Sequence, residues 1–162
     1  MRLNNRNKVG YFNFISTLTV MIFAGGLAAF LLEYYVYDYL ESSQWLLILI
    51  PTLLLLLFFC RGRQIFEYDS DGEALNFKNR NVIMFLDKSL SDEFPKYKLL
   101  EYDVVNFFFM KRLYVTISSK KSTSLILRYD ISYLKNKEVN DLKASLNKVI
   151  KNNKEQKRVP HT

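Results

Sequence analysis

Residues that usually carry chemistry are scarce in this sequence, which has one cysteine, Cys60, and one histidine, His161. A lone cysteine excludes an intrachain disulfide and leaves a zinc site without a thiolate partner. A histidine second from the end, in a stretch without an apolar pattern, is not held within the roughly 3 Å that a general base needs. No Gly-rich phosphate loop with a following Lys, no His-Glu-x-x-His and no Gly-x-Ser-x-Gly occurs. The paired carboxylates Asp69 with Asp71 and Glu101 with Asp103 fall where turns and surface charge account for them. The expectation is a non-catalytic protein with no cofactor, no metal and no small-molecule substrate.

Charge is the second absence. Phe14 to Leu32 and Ser42 to Cys60 are two runs of nineteen residues each without an Asp, Glu, Lys, Arg or His. Each nearly meets the roughly 20 residues a helix needs to cross about 30 Å of hydrocarbon. Ionisable groups at membrane depth are the usual mark of transporters and proton relays, and these runs have none. A signal peptide is the rival reading of the first run, but it is longer than the usual apolar core of roughly 7–15 residues, and its small-residue stretch Ala24-Gly25-Gly26 lies inside it. Arg2, Arg6 and Lys8 precede the first run and Arg61 and Arg63 follow the second, whereas the connector from Glu33 to Gln44 has acids and no Lys or Arg. The positive-inside rule therefore predicts a multi-pass protein of the cell inner membrane with both termini cytoplasmic. Trp45 falls where an aromatic anchor is favoured at the outer interface, and Pro51 predicts a kink in the second span.

Beyond Cys60 the character changes to 20 Lys or Arg against 13 Asp or Glu, an excess equal to the whole net charge of +7. The basic residues alternate with acids and form no contiguous stripe of the kind that tracks phosphates, so no nucleic-acid partner is expected. An anionic phospholipid surface is a better match for this charge.

The remaining pattern is that of short strands. Arg63–Asp69 and Glu73–Lys78 flank the turn Asp69-Ser-Asp-Gly72, and Asn79-Arg80-Asn81 reads as a second turn before an apolar strand from Val82 to Leu86. Further strands are expected at Tyr97–Tyr102, Val104–Phe109, Arg112–Ser118 and Ser122–Asp130, with Met110-Lys111 and Lys120-Lys121 as turns. Val139, Leu142, Leu146, Val149 and Ile150 then recur at helical spacing, predicting an amphipathic helix from about Lys137 to Lys151 with Asn136 as its cap. The expected organisation is a hairpin of two membrane helices over residues 1–62, an α+β domain over 63–151, and a flexible basic tail over 152–162.

The opening strand Gln64-Ile-Phe-Glu-Tyr68, the late pair Arg112-Leu-Tyr-Val-Thr-Ile117 and Thr123-Ser-Leu-Ile-Leu127, and the closing helix from Val139-Asn-Asp-Leu142 to Leu146-Asn-Lys-Val149 carry a resemblance. In this order, after two apolar spans, they resemble the bacterial pleckstrin-homology-like (PH-like) membrane proteins over a little more than half the chain. The chain departs from that pattern in having no glycine between Phe109 and Arg128. The resemblance implies a bent antiparallel β-sheet of about six to seven strands closed by the C-terminal helix. In function it implies a scaffold or interaction module.

Two candidate contact surfaces follow. Gly25, Gly26 and Ala29 make a small-residue face on the first span, where either the chain's own second helix or a separate integral membrane protein can approach closely. Val104-Val-Asn-Phe-Phe-Phe-Met110 is apolar on both faces apart from Asn106, so Phe107, Phe108 and Phe109 are expected at a partner interface unless the chain buries them itself. Met110, Lys111 and Arg112 combine apolar and basic character suited to a lipid surface. The function expected is an accessory or scaffold subunit of a membrane protein complex, with an autonomous module that binds or senses anionic lipid as the alternative.

Overall fold

A computed structural model of the chain describes residues 1–37, 39–83, 88–119 and 123–158, with side chains through 156. The order is β1 (Arg2–Asn4), α1 (Val9–Leu32), α2 (Leu46–Cys60), β2 (Ile65–Asp69), β3 (Ala74–Arg80), β4 (Leu90–Pro95), β5 (Leu99–Phe107), β6 (Met110–Ser118), β7 (Ser124–Asp130) and α3 (Asn136–Arg158). The strands make two antiparallel meanders, β1-β2-β3-β4 and β5-β6-β7. With the C-terminal helix this is an α+β layout.

α1 has 24 residues and is about 36 Å long at 1.5 Å per residue, enough for the hydrocarbon of a bilayer. It continues through a π-helical turn, Glu33–Tyr37, and the chain returns through a 3-10 turn, Glu41–Trp45, into α2. Both helical segments are long and apolar enough to cross a membrane, and only 6% and 11% of their most apolar windows are buried in the chain. α2 stays helical through Pro51, which is buried. Proline cannot donate to the carbonyl four residues back, that of Leu47. Gly26 of α1 lies against both groups: an added Cβ there would meet Pro51 Cγ at 2.5 Å and Leu47 O at 2.6 Å.

The β-sheet part has one large core, and a small second cluster of Phe12, Ile65 and Val82 lies where α1 meets it. Phe66, Tyr68, Leu75, Phe77 and Phe94 of the first sheet meet Leu99, Leu113, Val115 and Tyr129 of the second, and α3 adds Val139, Leu142, Leu146 and Val149. The inward residues of the strands recur every second position and those of α3 every three or four, as their periods require. Phe77 lies at the centre, stacked on Tyr129 at 4.9 Å and on Phe94 at 5.7 Å between ring centroids.

Several boundaries differ from the sequence reading. The N-terminal residues join the domain: Arg2, Leu3 and Asn4 pair with Asp69, Tyr68 and Glu67, so the two long helices are inserted between neighbouring strands of one sheet. Asn79-Arg80 is no turn, because β3 runs through it and the Asn79 amide donates to the carbonyls of Ile65 and Asp130, both at 3.0 Å. Lys96–Lys98 is a 3-10 turn and β5 begins only at Leu99. The β5–β6 turn is Phe108-Phe109, two residues before the expected Met110-Lys111, since Phe107 already pairs with Met110. Lys135, not Asn136, caps α3: the Glu138 carboxylate accepts its backbone N–H at 2.6 Å. The supposed tail is helical to Arg158, and Asn153 ties it down by donating to the carbonyls of Lys96 and Leu99 at 2.7 and 3.0 Å. Of the strand expected at Val82 to Leu86, Val82 is a buried bend residue and 84–87 lie outside the described residues, as does Lys120-Lys121.

Candidate functional site at the helix–domain junction

Among the described residues, contacts joining the helical pair to the domain gather at the domain ends of α1 and α2. Asn5, just before α1, is buried. Its amide donates to Gln64 O at 2.7 Å and its Oδ1 accepts the Phe66 N–H at 2.8 Å, completing the ladder where β1 ends. On the other strand of the junction, Gly62 ends α2 with φ +76°, and an added Cβ would lie 2.5 Å from Asp130 Cγ. That close approach lets Asp130 accept the Arg63 N–H at 3.3 Å, with Arg63 Nη1 at 3.5 Å and Arg112 Nε at 3.4 Å from its carboxylate. Asn79 Oδ1 in turn accepts the Asp130 N–H at 2.9 Å. Asp130 therefore links α2's exit and Arg112 of the second sheet through its carboxylate, and the first sheet through its backbone N–H. Buried charges of this kind stand only when paired.

The loop 131–135 rests on the same feet. Tyr133 packs edge-on against Phe12 of α1 at 5.1 Å, and the Arg61 guanidinium lies over its ring at 4.7 Å. Burial pushes the Tyr133 hydroxyl up from its ordinary pKa, opposed by Arg61, so the ring stays neutral beneath that cation. Below the loop, between α1 and α2, opens an apolar groove of about 670 Å³ whose walls include Ile15, Leu18, Ile22, Leu54 and Leu57. Lys8, Arg61 and Lys135 stand at its domain end.

The β5–β6 hairpin begins one loop away. The Lys111 N–H donates to Ser132 Oγ at 3.0 Å, Lys111 O accepts the Ile131 N–H at 2.9 Å, and Lys111 Nζ donates to Asn136 Oδ1 at 2.7 Å. From this root the tip projects outward: Phe107 is 66%, Phe108 98% and Phe109 39% exposed. Phe108 also has φ +51°, a left-handed conformation that costs a non-glycine residue about 1 kcal/mol. A strained, exposed phenylalanine on a tight turn is unusual, and such strain concentrates at functional positions.

No family model, curated protein or solved structure matches this chain.

The geometry sorts the sequence-derived candidates. Phe107, Phe108 and Phe109 form one exposed tip. Gly25 has nothing within 4 Å of an added Cβ, whereas Gly26 is turned onto Pro51 and Leu47, and Ala29 is half-buried. Gly26 is thus used within the chain. Met110, Lys111 and Arg112 adjoin the tip, but Lys111 is bound to Asn136 and Arg112 lies between Asp130 and Met110 Sδ, 3.8 Å away. Asp69 and Asp71 meet the N-terminal segment: Arg2 Nε is 3.0 and 3.2 Å from them, and the Met1 amino group at 2.6 Å holds the Asp71 carboxyl below its ordinary pKa. Cys60 is a free, exposed thiol, and no cluster of three or more His, Cys, Asp or Glu side chains that could hold a metal occurs among the described residues. His161 lies outside them. The groove escaped sequence reasoning; Lys8 was legible only as a topology signal, Arg61 also as part of the basic excess suited to an anionic lipid surface, and Lys135 and Tyr133 had no local signal for a site.

Proposed function

We propose that this chain is a non-catalytic accessory or scaffold subunit of a membrane protein complex, anchored by α1 and α2 and offering its α+β domain to another integral membrane protein. The observation that carries this is the Phe107–Phe109 tip, apolar, solvent-exposed and rooted in the loop that rests on the feet of both helices. A partner reaching this tip stands beside the anchor, where Gly25 leaves a close-approach position on α1. A stable contact of this kind buries at least about 1,000 Å², more than the three rings alone provide, so the contact extends along the exposed face of α1. In this reading the basic residues flanking α1 and α2 keep both termini in the cytoplasm and the protein is a multi-pass component of the cell inner membrane. The PH-like reading draws on the four-stranded and three-stranded meanders followed by a terminal helix, with the membrane hairpin inserted after the first strand.

The test is purification from native membranes in mild detergent after cross-linking in cells, with mass spectrometry of everything retained. One integral membrane protein should co-purify with the wild-type chain and be lost from Phe108→Ser and Gly25→Leu. Recovery of the chain alone in several gentle detergents overturns the subunit reading. The alternative, a module that binds or senses anionic lipid, is favoured by a separate observation, the groove at the helix feet.

A further inference from the structure

We infer that the groove between α1 and α2 binds one anionic glycerophospholipid, with an acyl chain along Leu18, Ile22 and Leu54 and the phosphate beside Arg61 and Lys135. The inference rests on the reading that α1 and α2 cross a bilayer, and it holds whether or not a protein partner exists.

Three features of the groove support it. Its depth matches one leaflet: from Lys8 at the mouth to Ile22 at the far end is fourteen helical residues, about 21 Å, against about 15 Å for half the hydrocarbon thickness plus the headgroup layer. Its chemistry divides along that depth. Away from the mouth the lining residues Ile15, Leu18, Ile22, Leu54, Leu57 and Phe58 are apolar, and the Thr19 hydroxyl is spent on the Ile15 carbonyl at 2.8 Å. The polar groups, Lys8, Arg61, Ser132 and Lys135, gather at the domain end.

The third feature is charge. Lys8 is paired with Glu138 at 3.5 Å, which leaves Arg61 and Lys135 as a net excess of two positive charges at the mouth. Arg61 meets a ring face, not a carboxylate, and that contact fixes its position while its N–H groups stay available to a phosphate. Fixed walls distinguish this place from an ordinary lipid-facing helix surface. Tyr133 is wedged on Phe12 and buried Leu134 closes the end, so headgroup ligands come from three segments held in register. Basic pockets between membrane helices on the cytoplasmic side are suited to anionic headgroups.

The experiment places a reporter in the groove of the full chain. Leu18→Trp, at a partly exposed wall position, is reconstituted into phosphatidylcholine vesicles with increasing fractions of acyl-brominated phosphatidylglycerol, or with brominated phosphatidylcholine as the neutral arm; bromine quenches tryptophan on contact. The signal from Trp45, near the opposite end of the helices, is subtracted using the unsubstituted chain. Half-quenching is expected at about a thirtyfold lower fraction of the brominated anionic lipid than of the neutral one, as two nearby cations predict. Lys135→Gln should reduce that preference about fivefold, and Arg61→Gln with Lys135→Gln should abolish it. Lys151→Gln with Lys154→Gln, removing equal charge far along α3, should leave it unchanged. Equal quenching by both lipids means annular contact only and overturns the lipid site while leaving the spans intact. Absence of quenching by either lipid shows Leu18 outside hydrocarbon and overturns the membrane reading itself. Persistence of the preference in the Arg61/Lys135 double variant also overturns the site, since the charge then comes from elsewhere.

Discussion

Two glycines with nearly the same backbone conformation offer a controlled measure of what the helix–domain joint contributes. Gly62 has φ +76° and Gly72 φ +70°, so alanine at either position carries the same left-handed cost, about 1–2 kcal/mol. At Gly72 the new methyl group meets nothing within 4 Å. At Gly62 it would lie 2.5, 2.6 and 3.0 Å from Cγ, Oδ2 and Cβ of Asp130, which must then move. Asp130 cannot move freely, because its carboxylate carries the Arg63 N–H and the Arg63 and Arg112 guanidinium groups. Weakening charge-assisted contacts at a buried carboxylate costs about 2–3 kcal/mol more. Gly62→Ala should therefore destabilise by about 3–5 kcal/mol and Gly72→Ala by about 1–2 kcal/mol. At several degrees per kcal/mol for a domain of this size, the Tm gap between the two variants should exceed about 10 °C in one detergent at one protein concentration. Differential scanning fluorimetry suffices to read it. Equal Tm values for the two variants would refute the claim that Asp130 is an energetic joint; a large loss in both would instead place the cost in the backbone conformation alone.

Asn5→Ala leaves the Phe66 N–H and the Gln64 carbonyl without their buried partner and should cost about 2–4 kcal/mol, read locally as faster hydrogen exchange at Phe66. Unchanged protection there would mean that β1 does not hold the sheet edge. Gly26→Leu should separate α1 from α2 and lower the thermal stability of the solubilised chain, whereas Gly25→Leu, in open space, should leave it nearly unchanged; reversed effects would invert the helix-face assignment. Burial first, and then the hydrogen bond to Asp92 at 2.8 Å, push the Tyr129 hydroxyl far above its ordinary pKa of about 10. A raised folded-state pKa contributes stability that is complete below about pH 10 and is lost as pH rises further, so Tyr129→Phe should cost about 1 kcal/mol at neutral pH and flatten the alkaline fall in stability. Tyr68, Tyr102 and Tyr133 are shifted the same way and keep part of that slope.

The two long helices, the alternation of β6 and the stripe of α3 were legible in the sequence because each follows from local order: apolar runs of sufficient length, period two, and spacings of three and four. The Asp69–Gly72 turn was equally local, as a glycine with positive φ and an aspartate accepting the Asp71 N–H at 2.8 Å. The rest was decided by partners distant in sequence. Residues 2–4 carry no strand signature of their own and become β1 only because the edge of β2 offers unpaired backbone groups, more than sixty residues away. Asn79, a turn former by local preference, is held in a strand because its amide satisfies Ile65 and Asp130. The Phe108-Phe109 turn violates local preference outright. Register wins there, because a break at Met110-Lys111 would forfeit the pairing of Phe107 with Met110 and Asn106 with Lys111. Gly25 and Gly26 are indistinguishable neighbours in the sequence, yet a helix advances 100° per residue, and α2 covers one and leaves the other open. The groove mouth likewise draws on Lys8, Arg61 and Lys135, which meet only after α1, α2 and the loop before α3 have packed together. Local order determined the long helices, β6 and α3; β1, the end of β3 and the facing of residues across the fold were determined by packing.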